Sequence, residues 1–411
     1  MHEAGCRPAW GLTLLLASVL FAPFVAAESA VTIDFVTALE ETDLGIESLA
    51  FDGHGSILAV GADGYIGWID STTPTTNQRL ESNRTETLNA VSFHPAGNAL
   101  MVGDSGVILR YIGLNRTVEP AGGTTAVERS RLTAVAWNTA GSWAYIGGES
   151  GWIWRYRGGE DGSAEMHRLD GLRDSDVTAI SCHAETPLCV VVTEADGIGI
   201  IDRDHNLSWI GGSGTIWSDV ACTAKSLPRC VAVGNGRQLA LISLQEAAPA
   251  ESDAGMARYT DVAGEFRSIC GQDETRILVA TTPFSLIEYD VYQDTLYPWL
   301  NQSDAVTAGP VVAGSTIVCT WAEDADTGHI LTARGDIVQF HPPAAEDGLT
   351  SNLLYIVVSV VIIICVPGVI LGLTYMNSTR MQSAYLGWRR KRREKTRGSV
   401  DDPSASRRKR G

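Results

Sequence analysis

The chain has 411 residues and a formal net charge of -17, from 31 Lys plus Arg against 48 Asp plus Glu. Its basic side chains are nearly all Arg until a cluster in the last thirty-odd residues, and Lys225 is the only Lys ahead of that cluster. An acidic, Lys-poor surface argues against a nucleic-acid partner, which needs grouped positive charge to hold phosphates.

Residues 1–27 carry Arg7, the apolar run GLTLLLASVLFAPFVAA and a small-residue end at Val25-Ala26-Ala27. This is the pattern of a cleaved secretory signal peptide, because the run is too short for a stable anchor and contains Pro23. The following AVTIDFVTAL, Ala30 to Leu39, is strand-like and belongs to no unit of its own.

From Ile46 a pattern begins that the chain repeats. IESLAFDGHGSILAVGADGYIGWI, LNAVSFHPAGNALMVGDSGVILRY and LTAVAWNTAGSWAYIGGESGWIWRY each spell three short apolar strands separated by two tight turns. Gly61, Gly103 and Gly147 hold matching places, and Gly64, Gly106 and Gly151 close the second turn. Four looser copies follow, beginning VTAISC, WSDVAC, FRSICG and STIVCTWA. The slot ending the first strand reads Phe51, Phe93, Trp137, Cys182, Cys222, Cys270 and Cys319. A period of roughly 40–50 residues with Gly turns and β-formers predicts an all-β fold of seven four-stranded blades, a β-propeller over residues 30–342.

These units resemble the WD40-like class of propeller repeats over about Val31 to Pro342. The Trp-Asp signature dipeptide of that class occurs in no copy, nor does the Ser-x-Asp-x-Gly-x-x-Trp box of sialidase-type propellers. The resemblance therefore implies architecture and carries over no binding residues. The seventh copy ends at Phe340 without a fourth strand, so the N-terminal strand is expected to complete that blade and close the ring.

Six cysteines lie outside the leader and the C-terminal apolar run, and export permits disulfides. Cys182 and Cys189 flank the first hairpin of blade four, and Cys222 and Cys230 flank the same hairpin of blade five, which predicts two cross-strand bridges. Cys270 and Cys319 share the equivalent slot; pairing across blades and free thiols both fit. No Cys-x-x-Cys with His occurs, so neither a structural metal nor a cofactor is expected. Asn83, Asn115, Asn206 and Asn301 begin Asn-x-Ser/Thr sequons between copies and are candidate glycosylation sites on outer loops.

Residues 343–352 form a polar linker. From Leu353 to Tyr375 the chain runs without a charge, long enough for one transmembrane helix. Residues 376–411 are a basic tail containing WRRKRREK, Trp388 to Lys395, which predicts an outward N-terminal domain, a cytoplasmic tail and contact with anionic lipid.

Several motifs have a simpler explanation than chemistry. Gly103-Asp104-Ser105-Gly106 spells a protease nucleophile motif and Arg334-Gly335-Asp336 an adhesion tripeptide, yet each falls on the turn that GADG and GESG occupy in other copies. Asp324, Asp326 and Gly328 make half of a calcium loop without its later Glu. The histidines are scattered singly and read as loop or strand-end residues.

Strand direction divides the charged turns between two faces. Second-to-third-strand turns carry Asp63, Asp104 and Glu149, and the loops leading into first strands carry Glu41, Asp43, Arg129, Arg131, Asp174 and Asp176. Both sets should lie on the face away from the linker, making these nine residues the candidate contacts for a partner. The expected function is a membrane-tethered scaffold for a protein or glycan outside the cell. The alternative is a propeller enzyme, a hydrolase, lyase or quinone-dependent dehydrogenase, with its site in the central channel. That reading requires a ring of polar residues at one level of the disc, and the strand patterns do not reveal one.

Overall fold

A computed structural model describes residues 29–159, 163–223, 227–271, 275–322, 326–343 and 374–398, together with residues 359, 363 and 367. Residues 29–343 fall within one compact unit. It contains seven four-stranded antiparallel sheets, six of them built from four consecutive strands. The innermost strands are Ile46–Phe51, Leu88–Phe93, Leu132–Trp137, Val177–Cys182, Trp217–Cys222, Glu265–Gly271 and Ile317–Ala322.

The seventh sheet is closed as expected. Thr32–Ala38 pairs antiparallel with Asp336–His341, in register from Thr32 opposite His341 to Ala38 opposite Asp336. Val31 and Ile33 are buried in the seam between blades six and seven, the Ala30 N–H donates to Trp299 O at 2.9 Å, and Ser29 Oγ accepts from the Asn301 N–H at 2.8 Å. The chain's first and last strands thus hold each other.

The core is distributed as seven apolar clusters, one in each seam between neighbouring blades. Second strands are buried on both faces, which is why Ile57–Val60, Ala99–Val102 and Val190–Val192 read as continuous apolar runs rather than alternating ones. Fourth strands such as Asn77–Arg79 and Ala164–Arg168 form the polar rim.

Cys182 lies directly opposite Cys189 and is bridged to it, and Cys222 is bridged to Cys230 in the same way, with Cα atoms 3.9 Å apart in both pairs. Cys270 is bonded to Cys319, which settles the open alternative and ties blade six to blade seven. By chain-entropy reasoning a 49-residue closure restrains the unfolded chain by about 4 kcal/mol, against about 2 kcal/mol for the short hairpin loops.

Two of the scattered histidines prove to be latches. His94 Nδ1 accepts from the Ala96 N–H at 2.9 Å, and His183 Nδ1 accepts from the Glu185 and Thr186 N–H groups at 3.1 Å. That leaves Nε2 as the protonated nitrogen, donating to Gly141 O at 2.8 Å and to Leu227 O at 2.7 Å on the next blade. Glu323 to Ala325, which include Asp324 of the half calcium loop, lie outside the described residues, as do the proposed leader and most of the apolar run 353–375. Among the described residues no helix is long and apolar enough to cross a membrane. Thr379–Gly398, in the separate unit 344–411, is a 20-residue basic helix.

Candidate functional site

The innermost strands surround a channel of about 610 Å³, lined by residues of all seven blades. Each of these strands is antiparallel to its neighbour and each carries one β-bulge near its start, after the first paired position in six of them and after the second, Phe266, in Glu265–Gly271. A bulge inserts an unpaired residue and re-aims its side chain. The seven residues so placed are Glu47, Asn89, Thr133, Thr178, Ser218, Arg267 and Val318, and all line the channel. This is a ring at one level of the disc, six-sevenths polar, that sequence reading does not find. A column through the residue two places before Leu49, Val91, Val135, Ile180, Val220, Ile269 and Thr320, reading E, N, T, T, S, R, V, takes the second residue of six first strands and the third of Glu265–Gly271, and would have shown it.

Three of the seven ring residues are used to knit the wall. Asn89 Nδ2 donates to Asp104 Oδ1 at 2.9 Å and to Leu132 O at 2.8 Å; Thr133 Oγ1 donates to Val177 O at 2.5 Å; Thr178 Oγ1 donates to Val192 O at 3.2 Å. On the other side the wall is joined by the adjacent positions instead. Ser268 Oγ donates to Val318 O at 3.2 Å, and Asp219 Oδ2 accepts from the Ile269 N–H at 2.8 Å, its Oδ1 taking the Val220 N–H at 2.7 Å.

Burial in this wall pushes the Asp219 carboxyl up to about 6, against which its two backbone hydrogen bonds act only in part. A native pKa above that of the unfolded chain means the group favours folding below pH ~4 and loses that contribution as pH rises through about 6, a swing of about 3 kcal/mol. Buried His329 acts in the opposite sense over the same range, since desolvation lowers it to about 4 and stability is lost as pH falls through that value. The two nearly cancel in the wild type. Asp219→Asn should therefore uncover a profile that climbs from pH 4 to 6.5; urea melts giving parallel profiles for variant and wild type would contradict this assignment.

The mouth of the channel opens on the face that holds the candidate partner residues. Ala62–Tyr65, Asp104–Val107 and Glu149–Trp152 are type I′ turns: Asp63, Ser105 and Ser150 have φ of 52–57°, the following glycines 66–73°, and the fourth N–H returns to the first carbonyl. Gly64, Gly106 and Gly151 pack on the lead-in loop of the next blade, where an added Cβ would stand 2.1–2.4 Å from the carbonyl oxygens of Arg84, Glu128 and Arg173. The protease-like and adhesion-like tripeptides are turn residues, as the repeat alignment indicates; Arg334-Gly335-Asp336 turns with the Gly335 N–H on Thr332 O at 2.9 Å.

Among the nine candidates, four are engaged by the fold. Asp104 accepts from Asn89 and lies 3.4 Å from Arg131, Asp176 Oδ1 accepts the Ser150 N–H at 2.7 Å, and Asp43 Oδ1 accepts the Gly45 N–H at 3.0 Å. Arg131 and Asp176 also line the channel mouth. The other five, Glu41, Asp63, Arg129, Glu149 and Asp174, are exposed and make no side-chain hydrogen bond or ion pair among the described residues. Of the sequons, Asn83, Asn115 and Asn206 are exposed, whereas Asn301 is half-buried at the start of the short helix Gln302–Ala308. No group of three or more His, Cys, Asp or Glu among the described residues is placed to hold a metal.

No protein-family profile matches the sequence, and no curated protein matches it either. Many solved structures match the fold. One is the β-propeller domain of Cps50 (Swd1) from Myceliophteria thermophila, which is similar at a TM-score of 0.60 and 11% identity, covering 75% of this chain and 99% of that domain. The likeness is one of fold: the architecture is that of a WD40-like, seven-bladed propeller.

Proposed function

We propose that this chain is a membrane-anchored, extracytoplasmic scaffold that holds a protein partner on the channel-mouth face of its propeller. The observation that supports this most directly is the set of five exposed and uncommitted charges, Glu41, Asp63, Arg129, Glu149 and Asp174, on turns and lead-in loops fixed by repeated backbone contacts. Rigidly held charge that the fold does not use gives a partner specificity and steering at little ordering cost. The chain leaves the propeller after His341, at the end of a strand antiparallel to its neighbours and on the opposite face. The apolar run 353–375 supports an anchor, the basic helix Thr379–Gly398 supports a cytoplasmic tail, and the cross-strand disulfides suit an oxidising compartment.

The test uses the full chain in intact cells. External protease should remove the propeller and spare the tail, and deglycosylation should alter the mobility of chains carrying Asn83, Asn115 and Asn206. The quadruple variant Glu41→Lys, Asp63→Asn, Glu149→Lys, Asp174→Lys should lose cross-linked proteins that the wild type retains, Asn being chosen because it tolerates the left-handed conformation at position 63. The control His54→Glu, Glu185→Lys, exposed on the opposite face, should keep them. A glycan retained in place of a protein would change the partner class, and loss only in the control would place the interface on the other face.

A further inference from the structure

The bulge ring is chemically divided, and the division points to a ligand. Asn89, Thr133 and Thr178, in blades two to four, spend their side chains on the wall, as the distances above show. Ser218, Arg267 and Glu47, in blades five, six and one, make no side-chain hydrogen bond or ion pair among the described residues although all three line the channel. Between Arg267 and Glu47 in the ring stands Val318, the one apolar member. The wall behind this arc is joined by Asp219 and Ser268, one residue further along each strand, and by the Cys270–Cys319 bridge. Nothing in the fold requires a guanidinium and a carboxylate at these two bulges, and the two do not pair with each other.

We propose that this arc binds a small zwitterion, an amino acid or short peptide, with its carboxylate on Arg267 and its ammonium on Glu47. A guanidinium offers a planar fork that fits a carboxylate with two parallel hydrogen bonds, and a carboxylate accepts up to three N–H bonds from an ammonium. Ser218, next to Arg267 in the ring, supplies a further hydroxyl to the ligand's carboxylate, and Val318 faces its apolar part. A free volume of about 610 Å³ is in the range of small-molecule sites and holds an amino acid together with bridging water. The seven bulges pre-position these side chains, so binding orders few rotamers. This assignment is independent of the partner face, since Glu47 and Arg267 lie inside the channel and are not among its five contact residues.

Isothermal titration calorimetry on the purified full-length chain tests it with glycine, γ-aminobutyrate and glycylglycine, whose charges stand at increasing separation, and with acetate and methylammonium as single-charge analogues. At least one zwitterion should bind, with each single-charge analogue weaker by about tenfold or more, the loss expected from leaving one charged hydrogen-bonded partner unmatched. Glu47→Gln, an isosteric change, and Arg267→Gln, a neutral polar one, both at exposed positions, should each weaken that zwitterion by a similar factor, while Thr178→Ser in the engaged part of the ring should not. The same zwitterion should raise the melting temperature of the wild type with concentration and not that of Glu47→Gln. Absence of binding by all three zwitterions, equal binding by acetate or methylammonium, or affinity that survives both substitutions would overturn the proposal.

Discussion

Deleting residues 31–38 should lower the melting temperature of the propeller by about ten degrees or more, or leave no folded protein to melt. The strand Thr32–Ala38 is the fourth strand of the blade that also contains the chain's last strands. Removing it forfeits the burial of Val31 and Ile33, each worth about 1.5–3 kcal/mol when fully buried, and exposes the edge of Asp336–His341 to water. For a domain of this size a few kcal/mol is a shift of that order. Ile33→Ala, which keeps the strand and empties its buried position, should cost about 2–5 kcal/mol. A deletion variant whose thermal transition, followed by near-ultraviolet circular dichroism, overlays that of the wild type would show that the ring does not depend on this closure.

The second large effect is expected at the glycines of the type I′ turns. Gly151 has φ +66° and an added Cβ would lie 2.1 Å from Arg173 O, so Gly151→Ala combines left-handed strain with a backbone collision that displaces the lead-in loop of blade four. We expect a loss of about 3 kcal/mol or more, in the range that marks a named steric mechanism. Gly97 separates the two contributions. It has φ +85° but nothing within 4 Å of the added Cβ, so Gly97→Ala should cost only about 1 kcal/mol, the conformational part alone. Denaturant midpoints that moved equally for the two variants would show that strain, not the contact between blades, dominates at Gly151.

The parts of this molecule legible in the sequence are those that a short stretch specifies by itself and then repeats. The two apolar runs and the Asp-Gly and Ser-Gly turns recur at fixed spacing, so blade number, the presence of a tight turn closing at Gly64, Gly106 and Gly151, and the Cys182 and Cys222 bridges could be read from local pattern. The missing fourth strand after Phe340 and the orphan strand near residue 32 predicted each other by elimination. Cys270 and Cys319 stayed undecided because their approach depends on how two blades align across 49 residues. The channel ring was hidden for a different reason. Each member is a single polar residue beside apolar ones, and the bulge that turns it inward breaks the period of two on which strand reading relies. His94 and His183 looked like isolated loop residues because the carbonyls they bind belong to the next blade. Asp43, Asp104 and Asp176 counted as surface charge in the sequence, whereas the fold uses all three to satisfy N–H groups.

Joining the first strand to the last has a consequence for how the molecule is made. The partner of Thr32 is His341, so the N-terminal strand leaves the ribosome about 300 residues before anything exists for it to pair with. At roughly 5–20 residues per second that is a wait of roughly 15–60 s, during which the nascent blades stand as an open arc with an unpaired edge at the late end and a loose strand at the early one. Release of the final strand converts the arc to a ring in a single event, and only then do Val31 and Ile33 leave water. A ribosome that stops between Leu300 and Asp336 therefore yields a product with six complete blades and no ring. Such a fragment presents a bare sheet edge and an apolar strand to the machinery that surveys new proteins.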